Sequence, residues 1–108
     1  MSEPIDSAPA GIQEVLDELT PSELLAYSLA VADQELIGSL KQARIDRGFT
    51  EESFGAILGI STDSVRAFEG LQTDPSLATI RRYAHALGVL ISHEVEPIPG
   101  FEAQPKAQ

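Results

Sequence analysis

The chain has 108 residues, with 17 acidic side chains against 7 lysines and arginines and a formal net charge of −10. That length fits one domain, and a compact core drawn from roughly seventy residues is only marginally stable alone, so a dimer is expected. With no cysteine and only two histidines, disulfides, thiol nucleophiles and thiolate metal sites are excluded, and no metal or other cofactor is expected.

No apolar run approaches the length that crosses a bilayer, and the acidic start lacks the basic residues of a secretion signal. The expectation is a cytoplasmic, nucleoid-associated protein with no membrane partner. Residues 1–19 read as an acidic flexible tail or short helix: Met1 to Gly11 is rich in Ser, Pro and Ala, and a helical segment follows from Ile12 to Leu19. Thr20-Pro21-Ser22-Glu23 is a helix start, in which Thr20 caps, Pro21 suits the first helical position and Glu23 completes a capping box. Residues 20–35 are expected to be an N-terminal helical extension with Leu24, Leu25, Leu29 and Ala32 on its apolar face. Leu36, Leu40 and Ala43 continue that spacing, but Asp33 is able to cap a new helix, and a break or bend is expected there.

Gly48 ends this pattern and Phe49 turns back toward the core. Thr50 caps the next helix, with Phe54, Ile57 and Leu58 on its buried side. Gly55 costs about 1 kcal/mol relative to Ala in mid-helix, which makes sense where another backbone approaches closely. Gly59 closes that helix, Ile60 fills the corner, and Ser61 caps a third with Val65 and Phe68 inward, stopped by Gly70. Two helical patterns joined only by Gly59, Ile60 and Ser61 must cross, and the second becomes a rigid outer edge. This is the geometry of a helix-turn-helix reader of DNA.

After Leu71 to Asp74 and Pro75, Ser76 starts a helix whose Leu77, Ile80, Ala84 and Leu87 form the remaining core wall, and Gly88 stops it. Val89, Ile91, His93 and Val95 then alternate with Leu90, Ser92, Glu94 and Glu96, so residues 89–97 read as a candidate dimerisation strand, and residues 98–108 as a flexible tail. A lone strand cannot satisfy its backbone, which makes pairing between subunits attractive. The predicted fold class is mainly α: a compact helix-turn-helix domain of four to five helices over residues 36–88, with the N-terminal helical extension and a short C-terminal β-strand.

The acidic balance opposes binding to phosphate, but its distribution softens the objection. Residues 1–35 hold eight acids and no Lys or Arg, whereas residues 41–82 hold six basic and six acidic side chains. The outward candidates on the reading helix are Thr62, Asp63, Ser64, Arg66 and Ala67. Thr62 and Ser64 are able to bond a phosphate or base, and Arg66 to reach guanine or phosphate. Asp63 either accepts from cytosine or complements the positive end of its helix. Lys41 and Arg47, with Arg81 and Arg82, are candidate backbone contacts. No arrangement of nucleophile and base is present, the carboxylates lack a catalytic pairing, and His85 and His93 read as surface or packing residues, so no enzyme is expected.

From about Leu36 to Leu87 the chain resembles the Xre/Cro/C1 helix-turn-helix regulators. The landmarks are Arg44, Phe49-Thr50, Gly55, Gly59-Ile60-Ser61, Val65 and Glu69-Gly70, then Pro75-Ser76-Leu77-Ala78-Thr79-Ile80 and Arg82-Tyr83-Ala84-His85-Ala86-Leu87-Gly88. The resemblance implies a semi-buried pair between Arg44 and Glu69, the alternative being two exposed charges. Where the family commonly has Gln at the starts of its second and third helices, this chain has Glu51 and Thr62, and Glu51 would repel phosphate. The function implied is a sequence-specific double-stranded DNA-binding regulator, a homodimeric repressor on an inverted repeat. The chain is also similar to HigA-type antitoxins, whose likeness implies an antitoxin-autoregulator that binds a basic toxin. A protein interaction adaptor that no longer binds DNA is the third reading.

Overall fold

The computed structural model describes residues 17–99. Its helices are α1 (Pro21–Asp46), α2 (Glu51–Leu58), α3 (Thr62–Glu69) and α4 (Leu77–Leu87). Of the expected segment Ile12 to Leu19, only the last three residues are described, and Asp17 and Glu18 are helical; the rest of the acidic tail and residues 100–108 lie outside the described residues. Among the described residues, 17–30 with 95–99 belong to one compact unit and 31–94 to another.

α1 opens as its sequence dictates. The Glu23 amide donates to Thr20 Oγ1 at 3.1 Å and the Thr20 amide to Glu23 Oε1 at 2.9 Å, satisfying two donors that a helix start leaves open. The expected break near Asp33 does not occur: α1 runs uninterrupted for 26 residues, about 39 Å at the standard rise. A capping residue must leave helical backbone geometry, and neither Gly nor Pro near Asp33 forces that departure. Asp33 stays on an exposed face, while Ile37, Leu40 and Arg44 are buried.

Local chemistry fixes the other boundaries. Thr50 accepts from the Ser53 amide at 2.9 Å, and Ser53 Oγ accepts in return from the Thr50 amide at 2.9 Å. Ser61 and Ser76 cap α3 and α4 by accepting from Ser64 and Thr79. Gly59 and Gly88 close α2 and α4 in the left-handed conformation, at φ 77° and 70°. α3 ends differently: the left-handed residue is Leu71, at φ 60°, one place beyond Gly70. A side chain in that conformation costs roughly 1–2 kcal/mol.

The core joins Ile37 and Leu40 of α1, Phe54 and Leu58 of α2, Val65 and Phe68 of α3, and Tyr83, Ala84 and Leu87 of α4. The Tyr83 ring stacks on Phe68 with centroids 3.9 Å apart and meets Phe54 edge-on at 5.1 Å. Two expectations about burial are corrected: Ile57 is 54% exposed and Leu77 68% exposed. In each case the helical spacing is right, but no described neighbour covers the side chain.

The expected strand is also corrected. Among the described residues there is no β-strand, and 89–97 have no regular secondary structure. Alternation assigns faces, and Val89 and Ile91 do pack on the core while Leu90 is exposed. A strand additionally needs a neighbouring edge to receive its backbone groups, and the described residues supply none.

Tyr83 carries a buried hydroxyl with no hydrogen-bond partner. Burial, reinforced by Glu69 and opposed by Arg44, pushes its phenol well above the ordinary value of 10.0. Because the folded state holds that proton more tightly, the associated stability is present below about pH 10 and lost as pH rises beyond it. Tyr83→Phe should therefore be neutral or stabilising by about 1 kcal/mol near pH 7, and should flatten the alkaline loss of stability in denaturant titrations. Marked destabilisation near pH 7 would instead mean that the hydroxyl has a partner.

Candidate nucleic-acid interface

α3 follows α2 across the three-residue turn, and the close approach rests on Gly55. A Cβ there would stand 2.8 Å from the Ile60 carbonyl oxygen and 3.3 Å from Val65 Cγ2, so the backbone of the turn occupies the space of a side chain. With Val65 and Phe68 inward, the opposite side of α3 is left outward. Asp63, Ser64 and Arg66 are exposed there, and Thr62 and Ala67 are half-buried.

The far end of α3 is tethered by Arg44. Its Nε donates to Glu69 Oε2 at 2.7 Å and its Nη2 to Glu69 Oε1 at 2.9 Å, while Nη1 donates to the Phe49 carbonyl at 2.7 Å. Both side chains are enclosed, at 6% and 3% exposure. The hydrogen bonds that Arg44 donates to Glu69 raise its pKa, although burial alone would lower it. Glu69 lies at the negative end of α3, where a carboxylate is unfavourable, and the guanidinium offsets that placement. One side chain thus joins α1, the loop before α2 and the end of the reading helix.

At the near end, Glu51, the first residue of α2, reaches α3. Its Oε1 accepts from Arg66 Nε at 3.1 Å and Nη2 at 2.9 Å, and Asp63 Oδ1 accepts from Arg66 Nη1 at 3.1 Å. Sequence reasoning placed Glu51 only as a phosphate-repelling residue and missed this pairing. The signal available was the register of the helix pair, which sets the first position of α2 beside the fifth of α3. Two carboxylates around one guanidinium leave this part of the edge net negative. Ser64 Oγ accepts from Ser61 Oγ at 3.0 Å and keeps its own proton to donate.

The remaining candidates are placed elsewhere. Lys41 is exposed on α1. Arg47 meets the end of α4, with Nη2 3.5 Å from the Gly88 carbonyl oxygen. Arg82 donates to the Leu58 carbonyl at 2.5 Å, closing the C-terminal end of α2, and Arg81 is exposed. The structure brings together Glu51, Asp63 and Arg66; it does not join Lys41 or Arg47 to them.

This geometry agrees with the family comparison, in which residues 40–92, just under half of the chain, match a helix-turn-helix model. Residues 40–92 form a helix-turn-helix domain. This class is non-catalytic and binds DNA to regulate transcription. Comparison with curated proteins gave no match, and comparison with solved structures gave none. Among the described residues, no helix is long and apolar enough to cross a membrane, and no group of three or more side chains is placed to hold a metal ion.

Proposed function

We propose that the protein is a sequence-specific transcriptional repressor, acting in the nucleoid as a homodimer on an inverted repeat. The observation that carries this reading is the outward edge of α3: Asp63, Ser64 and Arg66 are open while Val65 and Phe68 fix the helix to the core. Thr62, Asp63, Ser64, Arg66 and Ala67 are assigned to the groove, and Lys41 and Arg47 to phosphates outside it. A major groove admits a helix, and half-sites one helical turn apart, about 34 Å, place two such edges on one face of the duplex.

The dimer is supported by an exposed surface on α4 and the segment after it. Leu77, Ile80, Ala84, Leu90 and Ile91 line a shallow apolar groove with His93, and Leu77 and Leu90 are 68% and 91% exposed. A second copy would cover these side chains and give the backbone of residues 89–97 an edge to pair with. On this reading residues 36–88 read DNA, and residues 89–97 hold the dimer together.

The antitoxin-autoregulator is favoured by one further observation. Between residues 17 and 40 the chain has no Lys, Arg or His, and Leu24, Tyr27 and Leu29 are exposed beside Glu23 and Asp33. Exposed apolar side chains interspersed with carboxylates suit a basic protein partner. Co-purification from the native cell separates this reading from a simple repressor.

Selection of duplexes from a random pool tests the regulatory mechanism. The expected result is enrichment of an inverted repeat bound by two chains, with affinity falling as salt rises because phosphate contacts release counterions. A pool without enrichment at low and moderate salt would sink it.

A further inference from the structure

The pairing at the near end of α3 gives Glu51 a purpose that its charge alone hides. An arginine has three donor edges, and Glu51 Oε1 takes the one formed by Nε and Nη2, at 3.1 and 2.9 Å. Asp63 takes one proton of Nη1 at 3.1 Å. Each terminal nitrogen keeps one further proton, and one proton from each suffices for a bidentate contact to guanine O6 and N7. The Arg66 side chain is 58% exposed, whereas Glu51 is 30% exposed and anchored at the start of α2. The carboxylate that holds the guanidinium is the more enclosed partner, and it comes from the other helix of the pair.

We infer that Glu51 is a specificity-determining residue: it holds Arg66 with its free end presented to a guanine and suppresses attraction to phosphate that carries no sequence information. This rests on the DNA-reading function proposed above. Exposed ion pairs contribute little stability, so the role is geometric and electrostatic rather than structural. A free arginine would gain nearly the same from any phosphate within reach. With carboxylates against two sides its net attraction to the backbone is cancelled, and the gain from binding depends on a base that offers two acceptors in the right place. Glu51 thereby trades affinity for discrimination.

The test compares wild type, Glu51→Ala and Arg66→Ala on three duplexes: the selected site, the same site with the contacted guanine changed to adenine, and a scrambled sequence. Glu51→Ala should bind the scrambled duplex more tightly with a salt slope steeper by about one, while the guanine preference falls roughly tenfold. Arg66→Ala should lose the guanine preference without gaining scrambled binding. If Glu51→Ala tightens all three duplexes equally and keeps the guanine preference, the assignment of Glu51 is overturned while DNA reading stands. If wild type itself prefers none of the three, the assignment and the DNA-reading function fail together.

Discussion

Glu69→Ala should destabilise the protein by about 3–5 kcal/mol, because it leaves the Arg44 guanidinium buried without its counter-charge. Arg44 is 5% exposed, and both of its bonds to Glu69 are lost at once. Marginal domains hold about 5–15 kcal/mol in all, so the variant should be largely unfolded well below the wild-type melting temperature. Replacing both partners is expected to cost less than removing one: Arg44→Leu with Glu69→Leu removes the stranded charge and leaves mainly the Phe49 carbonyl without its donor. Denaturant titrations of the two single variants and the double variant check this. A double variant as unstable as the sum of the singles would mean that the pair is not coupled.

The second large effect is expected at Gly55. Gly55→Ala gains about 1 kcal/mol of helix propensity, but its Cβ would meet the Ile60 carbonyl at 2.8 Å and the Ser61 carbonyl at 3.4 Å. Overpacking costs typically about 1–3 kcal/mol, and the obstructing atoms belong to a three-residue turn that has no slack. Ala should therefore be a net loss of about 1 kcal/mol, and Gly55→Val, which adds two methyl groups toward Val65, a loss of about 3 kcal/mol. The strain is relieved only by moving the turn, and α3 moves with it. DNA affinity should then fall by more than the unfolded fraction explains. A Gly55→Val protein as stable as wild type would contradict the close approach.

What was legible in the sequence follows the range of each interaction. Thr20, Thr50, Ser61 and Ser76 were readable as caps because a cap bonds an amide only two or three positions ahead, and Gly59 and Gly88 because a left-handed backbone is a local demand. The inward positions of Phe54, Val65, Phe68 and Leu87 followed from helical spacing. Ile57 and Leu77 share that spacing and are exposed, since periodicity defines a face but not whether another element covers it. The continuity of α1 through Asp33 was misread for a related reason: a residue fit to cap does so only where the chain turns away. The alternation held at Val89, Leu90 and Ile91 but not at His93 and Val95, which are exposed, and the ladder it suggested requires a second edge.

At the reading edge, the sequence supplied the exposed side chains of α3 but not their alliance with α2. Glu51 and Arg66 are fifteen positions apart, and only the crossing of the two helices brings them into contact. Treated as an isolated charge, Glu51 counted against DNA. In contact with Arg66 it becomes part of how the edge chooses a sequence.

The claim on which the account rests is that the outward edge of α3 enters a major groove, and methylation interference at guanine N7 measures this most directly. N7 lies in the major groove, so methylation should block binding at two clusters of guanines about 34 Å apart on one face of the selected duplex, and Arg66→Ala should abolish the signal at one guanine in each cluster. Binding that tolerates methylation of every guanine N7, or interference that is identical in wild type and Arg66→Ala, would contradict it.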